Sequence, residues 1–371
     1  MKYLTVVLFI GMLLPSIALA DSKNLDHSIK LSKQTKSKVK SAIDRGVRFL
    51  RYSQNKEGHW GHPGITALIL YSFFLSPRKY GPEDGPWVRK PIEYIINLQK
   101  ENGGIYTNQL ANYTTSISLM ALTGNPDVAK QHEKVIEKAQ KFLVDLQCDE
   151  GEGYDPTKDP LYGGIGYGGD ERPDLSNTQY ALEALHDSGL SKDHQVYKKA
   201  LIFLQRCQNR TESNDQKGWV ANDGGFVYYP ANSPAGADAT QTGKKYRSYG
   251  SMTYAGIKSY IYASVDKNDP RVQSAYKWIS RNYDLSENPG AGKQGLFYYY
   301  HTFAKTMSVY NQNVITDDKN VDHNWREDLA TILLNSQKED GSWVNEEDRW
   351  WEADPRLVTA YAVLALSICY K

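Results

Sequence analysis

The chain has 371 residues, and its 44 lysines and arginines nearly balance its 43 aspartates and glutamates, for a net charge of +1. This balance provides no basic surface of the kind that nucleic acid requires. Three cysteines are an odd number and too few for a disulfide framework. Composition therefore excludes a nucleic-acid-binding protein and a small disulfide-rich one.

The first 20 residues have the pattern of an export signal. A lysine at position 2 precedes an apolar run that ends in the small-residue sequence Ala18-Leu19-Ala20. We therefore predict cleavage after residue 20 and export to the periplasm or the cell exterior. Residues 21–36 are polar and predict a loose leader, and residues 37–371 then form a single domain.

Five glutamines recur in similar surroundings along this domain. Each follows a segment with one apolar stripe at helical spacing and precedes a glycine, with an aromatic residue beyond in most copies. The pairs are Gln54 with Gly58, Gln99 with Gly103, Gln147 with Gly151, Gln208 with Gly218, and Gln337 with Gly341. A sixth unit has Tyr283 in place of the glutamine. This recurrence predicts six degenerate repeats, with the glycine ending each helix in a left-handed conformation.

The segment that follows each turn is apolar or small nearly all round, which is typical of a helix buried on most faces. These segments are 65–75, 114–122, 177–185, 251–262, 301–310 and 357–368. The second helices of an open solenoid would be partly wet, so the composition of these segments favours closure. The sequence predicts an all-α fold without strands, a closed (α/α)6 toroid of six inner and six outer helices.

At these repeats the chain resembles the QW-repeat proteins, which include squalene–hopene cyclases and the β subunits of protein prenyltransferases. The resemblance covers about residues 37–371. It implies the helical toroid of the terpenoid cyclases and of the prenyltransferase/squalene oxidase repeat. It also implies an isoprenoid or other hydrophobic ligand in a central aromatic cavity.

The chain departs from both families at their reactive groups. Class II cyclases protonate an alkene with an Asp-x-Asp-Asp cluster, and the nearest strings here, at 316–320 and 236–240, do not match it. Prenyltransferases hold zinc with an Asp-x-Cys pair and a distant histidine. His301 resembles that histidine, but Ser251 stands where the cysteine is expected, and zinc sites depend on such ligands. We therefore predict no zinc and no other cofactor.

Candidate site residues come from the turns that enter the inner helices, because in a closed toroid these turns surround one end of the cavity. The catalytic candidates are Asp174, His301 and Asp354. Each aspartate precedes a predicted helix, so it acts as a cap if the helix end dominates and as an acid if burial raises its pKa. The expected ligand-binding aromatic residues are Trp60, Tyr249, Tyr254, Tyr300 and Trp351.

Three functions remain open on this basis. The first is an exported protein that binds or acts on an isoprenoid, like terpenoid cyclases and prenyltransferases. The second is a polysaccharide hydrolase or lyase on an (α/α)6 barrel, and the third is a binding or scaffold protein without catalysis. The predicted partner is a hydrophobic or glycan small molecule, with no nucleic acid, and association with a membrane surface is left open.

Overall fold

A computed structural model describes residues 30–168, 172–241 and 243–371, so the predicted signal peptide lies outside the described residues. The described chain forms thirteen α-helices: α1 (Lys33–Tyr52), α2 (Pro63–Leu75), α3 (Pro86–Asn97), α4 (Ala111–Thr123), α5 (Pro126–Gln131), α6 (Glu133–Asp145), α7 (Leu175–Asp187), α8 (Gln195–Cys207), α9 (Gly250–Tyr262), α10 (Pro270–Arg281), α11 (Leu296–Tyr310), α12 (Trp325–Ser336) and α13 (Pro355–Tyr370). None of these helices is both long and apolar enough to cross a membrane.

Two short antiparallel hairpins interrupt the helical pattern. These strands correct the prediction of a fold without strands. The first pairs β1 (Ala237–Thr240) with β2 (Gly243–Tyr246), and the second pairs β3 (Val314–Thr316) with β4 (Asp322–Asn324). Both lie in long connections between helices. With three or four residues a strand, they are too short to show an alternating pattern against their surroundings.

Six buried helices form the centre of the fold. They contact one another in the order α2, α4, α7, α9, α11 and α13, and α13 also packs against α2. The amphipathic helices lie outside them: α1 and α12 pack on α13, α3 on α2, α6 on α4, and α8 and α10 on α9. The fold is therefore mostly helical and has the arrangement of a helical toroid.

Burial explains this division between inner and outer helices. In α2, every residue from Pro63 to Phe74 is buried, as expected for a helix without a polar face. Helix α1 buries one stripe, which consists of Val39, Ala42, Ile43, Gly46, Val47 and Leu50. The opposite side of α1 carries charged residues in solvent.

The five recurring glutamines make equivalent contacts just beyond the ends of outer helices. Each side-chain amide donates to a glycine carbonyl of its own turn and to a carbonyl of another outer helix, with N···O distances of 2.8–3.0 Å. The acceptors are Gly58 and Trp87 for Gln54, Gly103 and Val135 for Gln99, Gly163 and Val196 for Gln147, Gly224 and Arg271 for Gln208, and Gly341 and Ala42 for Gln337. Gln337 thus joins the last outer helix to the first.

The glycines of these contacts correct two of the predicted pairs. Gly151 and Gly218 were expected by sequence offset, but Gly163 and Gly224 are the partners. All five bonded glycines have φ between +84° and +93°, and a Cβ atom on any of them would meet another outer helix at 2.0–2.6 Å. They lie within the turns, after the helices have ended, so they allow close packing of helices and do not act as helix terminators.

Two predicted boundaries also change. Helix α1 begins at Lys33, so residues 33–36 belong to it and not to the leader. Helix α11 begins at Leu296, and His301 therefore lies in its second turn and does not open it.

The three cysteines are buried free thiols, so Cys148 and Cys207 are not bridged.

Gln208 tests the contribution of these contacts, because it is fully buried and its carbonyl also accepts a hydrogen bond from Tyr260 at 2.9 Å. We expect Gln208→Ala to lower the free energy of unfolding by roughly 3 kcal/mol, about 1 kcal/mol for each of three lost hydrogen bonds. Urea denaturation measures this change. Gln131→Ala, on the exposed end of α5, is the matched control and should change stability by less than about 0.5 kcal/mol. Equal effects of the two substitutions would contradict the assigned role.

Candidate functional site

A cavity of about 690 Å³ lies at the N-terminal ends of the inner helices. Aromatic side chains dominate its wall. The tyrosines that line it are Tyr113, Tyr167, Tyr180, Tyr228, Tyr229, Tyr249, Tyr298 and Tyr361. Exposed lining residues mark its open end, here called the mouth, which consists of Arg172, Arg349, Trp350 and Trp351.

First-turn threonines set the rotation of five inner helices, and so decide which side chains face the cavity. Each threonine hydroxyl accepts a backbone N–H from the preceding turn, with N···O distances of 2.9–3.1 Å. The pairs are Thr66 with Trp60, Thr115 with Ile105, Thr178 with Ile165, Thr253 with Phe226, and Thr359 with Trp343. This recurring threonine is visible in the sequence, but its role was not predicted.

Several tyrosine hydroxyls of the wall form hydrogen bonds with other hydroxyl groups. The Tyr167 and Tyr228 hydroxyls are 2.9 Å apart, and Tyr298 is 2.9 Å from the Ser176 hydroxyl. Tyr180 and Tyr361 approach to 3.5 Å across the cavity wall. These pairs allow the hydroxyls to be buried at low cost and leave a wall of aromatic rings with few free polar groups.

Asp174 is fully buried at the start of α7, just behind the wall. Its carboxylate accepts hydrogen bonds from the backbone and side-chain N–H groups of Asn177 at 2.8 and 2.9 Å. The Tyr228 hydroxyl, which lines the cavity, also acts to lower the pKa of Asp174. Burial raises the pKa of Asp174 above its usual value, although these hydrogen bonds oppose the shift. Asp174 is therefore a helix cap and a carboxyl that burial favours in its protonated form.

Asp354 has the opposite electrostatic environment. It caps α13 through the backbone N–H of Arg356 at 2.9 Å and pairs with the guanidinium of the same residue at 2.7 Å. Burial acts to raise the pKa of Asp354, but the contacts with Arg356 outweigh it and lower the pKa. Asp354 does not line the cavity. The structure therefore places it in the capping role.

Glu352 is the one carboxylate among the described residues that line the cavity. It accepts hydrogen bonds from the backbone N–H groups of Phe297 and Tyr298, at 3.1 and 2.8 Å, and from Asn345 at 2.8 Å. It thereby caps α11, whose own N-cap, Gly295, has no side chain. Burial raises the pKa of Glu352, but both of its oxygens already accept hydrogen bonds. This geometry is that of a structural cap.

His301 lies below the cavity wall and not at the mouth where it was expected. It is buried and stacks on Tyr361, with ring centroids 5.7 Å apart. Burial lowers the pKa of His301 to about 3, so its ring is neutral at physiological pH. Tyr361 lines the cavity and His301 does not.

Two of the five predicted aromatic residues, Tyr249 and Trp351, line the cavity. The other three lie in the packed interior. The Trp60 indole donates to the Leu50 carbonyl at 2.7 Å, and the Tyr300 hydroxyl donates to a carbonyl of its own unit at 2.6 Å. Tyr254 packs edge-on against a neighbouring phenylalanine ring. These three side chains hold the helices together.

A buried charged cluster lies deeper along the inner helices. Glu183 of α7 forms ion pairs with Lys258 of α9 and, at 2.9 Å, with Lys305 of α11. Lys305 also reaches Asp187 at 3.1 Å. Burial acts to raise the pKa of Glu183, but the two lysines outweigh it, and the pKa lies well below its usual value. Across the described chain, no three His, Cys, Asp or Glu side chains are grouped to hold a metal ion.

Comparison with solved structures bears on the fold. A variant of the type II terpene cyclase MstE from Scytonema, in complex with its substrate geranylgeranyl dihydroxybenzoate, has a TM-score of 0.57 at 13% identity, over 91% of this chain and 99% of that one. The complex of another MstE variant with its product, merosterolic acid A, gives the same TM-score and identity over 92% and 99%. A protein from Actinoplanes has a TM-score of 0.52 at 15% identity, over 90% and 100%.

The fold is a terpene cyclase-like helical toroid. Identities this low show the fold and nothing of the activity. Glycosidase structures also match, at TM-scores of 0.49 and 0.48, which are too low to support an argument. No protein-family model and no curated protein matches the sequence.

Glu183 provides a test of the charged cluster. We expect Glu183→Gln to lower the free energy of unfolding by about 3–5 kcal/mol, because it leaves Lys258 buried without a carboxylate partner. Chemical denaturation at neutral pH measures the change. Glu137→Gln removes an exposed carboxylate from α6 and is the control, with an expected effect below about 0.5 kcal/mol. A loss below about 1 kcal/mol for Glu183→Gln would show that the ion pairs are dispensable.

Proposed function

We propose that this protein binds an isoprenoid-class hydrophobic ligand in its tyrosine-lined cavity. The observation that supports the proposal is the wall itself, which places eight tyrosines around a volume of about 690 Å³. This volume is within the range of about 300–1,000 Å³ that small-molecule sites have. Aromatic faces suit alkene chains, and they also stabilise the cations that isoprenoids form.

The proposal extends to the finer architecture. From the cycle of contacts among the inner helices, which returns from α13 to α2, we infer a closed (α/α)6 toroid. The five equivalent glutamine contacts support degenerate repeats related to the QW type. Export through residues 1–20 is also part of the proposal, and it rests on the sequence pattern alone.

The polysaccharide alternative has less support. Glycoside hydrolysis generally requires two carboxylates that face each other across the scissile bond. Among the described lining residues Glu352 is the one carboxylate, and helix α11 occupies its oxygens. The cavity as described therefore favours a hydrophobic ligand over a glycan.

Leu357 tests the location of binding. It lines the cavity in the first turn of α13, and Leu357→Trp should occupy part of the cavity. We expect it to weaken binding of geranylgeraniol, delivered from cyclodextrin and followed by calorimetry, by at least about tenfold, the equivalent of 1.4 kcal/mol. Val321→Trp places the same side chain on an exposed turn and should leave binding unchanged. Equal affinity of the wild-type protein and Leu357→Trp for geranylgeraniol would refute binding in this cavity.

A second candidate function is acid-initiated isoprenoid chemistry, which the environment of Asp174 favours. Its raised pKa increases the protonated fraction, and its electrostatic interaction with Tyr228 couples it to a residue of the cavity wall. In such a step a proton would move from the Asp174 carboxyl to the Tyr228 hydroxyl as the Tyr228 proton moves to an alkene carbon of the ligand, in one concerted transfer. Asp174 is then left as the carboxylate, Tyr228 stays neutral, and the ligand carries the positive charge.

Asp174→Asn separates this chemistry from simple binding, because asparagine caps a helix as well as aspartate does. If Asp174 supplies the proton, product formation from a geranylgeranyl ligand should fall by at least about 100-fold, in the range of general acid catalysis. Mass spectrometry of extracted products measures it, and ligand affinity should be retained. Unchanged product formation would exclude the acid role.

The same variant has a predicted signature in stability. Because the folded pKa of Asp174 is raised, its stabilising contribution is complete below the unfolded pKa and is lost as pH rises through the folded pKa. Asp174→Asn should remove this loss from the pH profile of unfolding. Identical profiles for the two proteins would contradict the raised pKa.

A further inference from the structure

Two arginines lie at the mouth of an otherwise aromatic cavity. Arg172 precedes α7 and Arg349 precedes α13, and both line the cavity together with Trp350 and Trp351. A cavity for a purely apolar ligand has no need of guanidinium groups at its opening. Their surroundings therefore indicate what they are oriented to bind.

Arg349 is held by neutral groups. Its guanidinium carbon lies 4.9 Å from the centre of the Trp350 ring, and it donates to the side-chain carbonyl of Gln294 at 3.0 Å. Among the described residues no carboxylate forms an ion pair with it. The Trp350 ring in turn rests against Gly295, where an added Cβ would meet it at 2.8 Å. The guanidinium is thus fixed in place with its charge uncompensated by the residues that position it.

Arg172, before α7, also packs on an aromatic ring. Its guanidinium carbon lies 3.9 Å from the centre of the Tyr229 ring. Its nearest described carboxylate oxygen, on Asp174, is 4.0 Å away, a long ion pair that is beyond hydrogen-bond distance. That carboxylate already accepts hydrogen bonds from Asn177, and burial raises its pKa. Within the described part of the chain, Arg172 therefore keeps N–H groups available for another acceptor.

The other titratable groups of the wall do not offset these two positive charges. The carboxylate of Glu352 is directed to the backbone N–H groups of α11. Burial lowers the pKa of His62, which also lines the cavity, so its ring is neutral at physiological pH. Planar guanidinium groups stacked on aromatic rings are suited to binding carboxylates and phosphates through paired hydrogen bonds.

We propose that the ligand is an anionic amphiphile, whose isoprenoid-class chain occupies the tyrosine-lined cavity while its carboxylate or phosphate head binds Arg172 and Arg349 at the mouth. This inference rests on the proposed function and specifies its substrate class. Chain and head are recognised by different residues, so their contributions can be measured separately.

The test compares three probes with the same chain: geranylgeraniol, geranylgeranoic acid and geranylgeranyl phosphate. Calorimetry with the full-length wild-type protein should show at least one acid binding about tenfold or more tightly than the alcohol. The preferred acid distinguishes a carboxylate head from a phosphate head. Raising the salt concentration should weaken acid binding more than alcohol binding, since the mouth is exposed to solvent.

Arginine variants then locate the head group. Arg349→Gln and Arg172→Gln should each reduce the preference for the acid at least severalfold, with alcohol binding changed by less than about twofold. Arg48→Gln, on the exposed face of outer helix α1, is the matched control and should retain the full preference. Equal loss of all three probes in the mouth variants would show that the arginines act through packing, and would overturn the assignment.

The outcomes also distinguish failure of the head-group assignment from failure of the proposed function. If the alcohol and both acids bind with equal affinity, the head-group assignment fails and the proposed hydrophobic site stands. If the preference for an acid persists undiminished in both variants, the anion binds elsewhere and the assignment likewise fails. If none of the probes binds, the proposed function itself is refuted.

Discussion

One side-chain amide, repeated five times, organises this protein. A glutamine amide has two N–H donors, and here each is used on a different segment: the turn that follows one outer helix, and the backbone of another outer helix. Backbone carbonyls buried without donors are costly, so each contact fixes both segments at once. The contact of Gln337 with Ala42 is the decisive one, because it joins residues almost 300 positions apart. These contacts set the spacing of neighbouring outer helices at five positions, and inner helices pack against those outer helices.

The unit without a glutamine shows what the contact must achieve. There the Tyr283 hydroxyl donates to Asp328 of α12 at 2.8 Å, so a side chain replaces the backbone acceptor. Tyr299, in the first turn of α11 where five other inner helices have threonine, donates to the carbonyl of Asp284 at 2.7 Å. In this unit the longer side chains of the two tyrosines therefore replace the glutamine and threonine contacts of the other units. This unit is also where the predicted helix start was wrong, since its tyrosine-rich sequence lacks the signals of the other five.

The fold was more accessible from the sequence than the site. Helices that are apolar on all sides are recognisable from the sequence as inner helices. Because they have no polar face, their composition does not show which residues face the cavity. Tyr249 and Trp351 lie in turns, were named from the sequence, and line the cavity, whereas Tyr113, Tyr180 and Tyr361 lie inside helices and were missed. The recurring threonine would have supplied the missing rotation. Contacts within a long turn, such as that of Gln147 with Gly163, depend on backbone conformation and close packing, which sequence offset does not encode.

The charged cluster below the cavity connects three of the helices that form the cavity wall. Burying Glu183 with two lysines carries a desolvation penalty that the ion pairs barely recover, so stability alone is a poor reason for it. Its members lie on α7, α9 and α11, the helices that also supply Tyr180, Met252 and Tyr298 to the cavity wall. An ion pair tolerates little sliding or rotation of its helices, whereas apolar contacts tolerate both. We infer that the cluster fixes the register of three inner helices, and that their aromatic rings are thereby held at defined positions around a ligand.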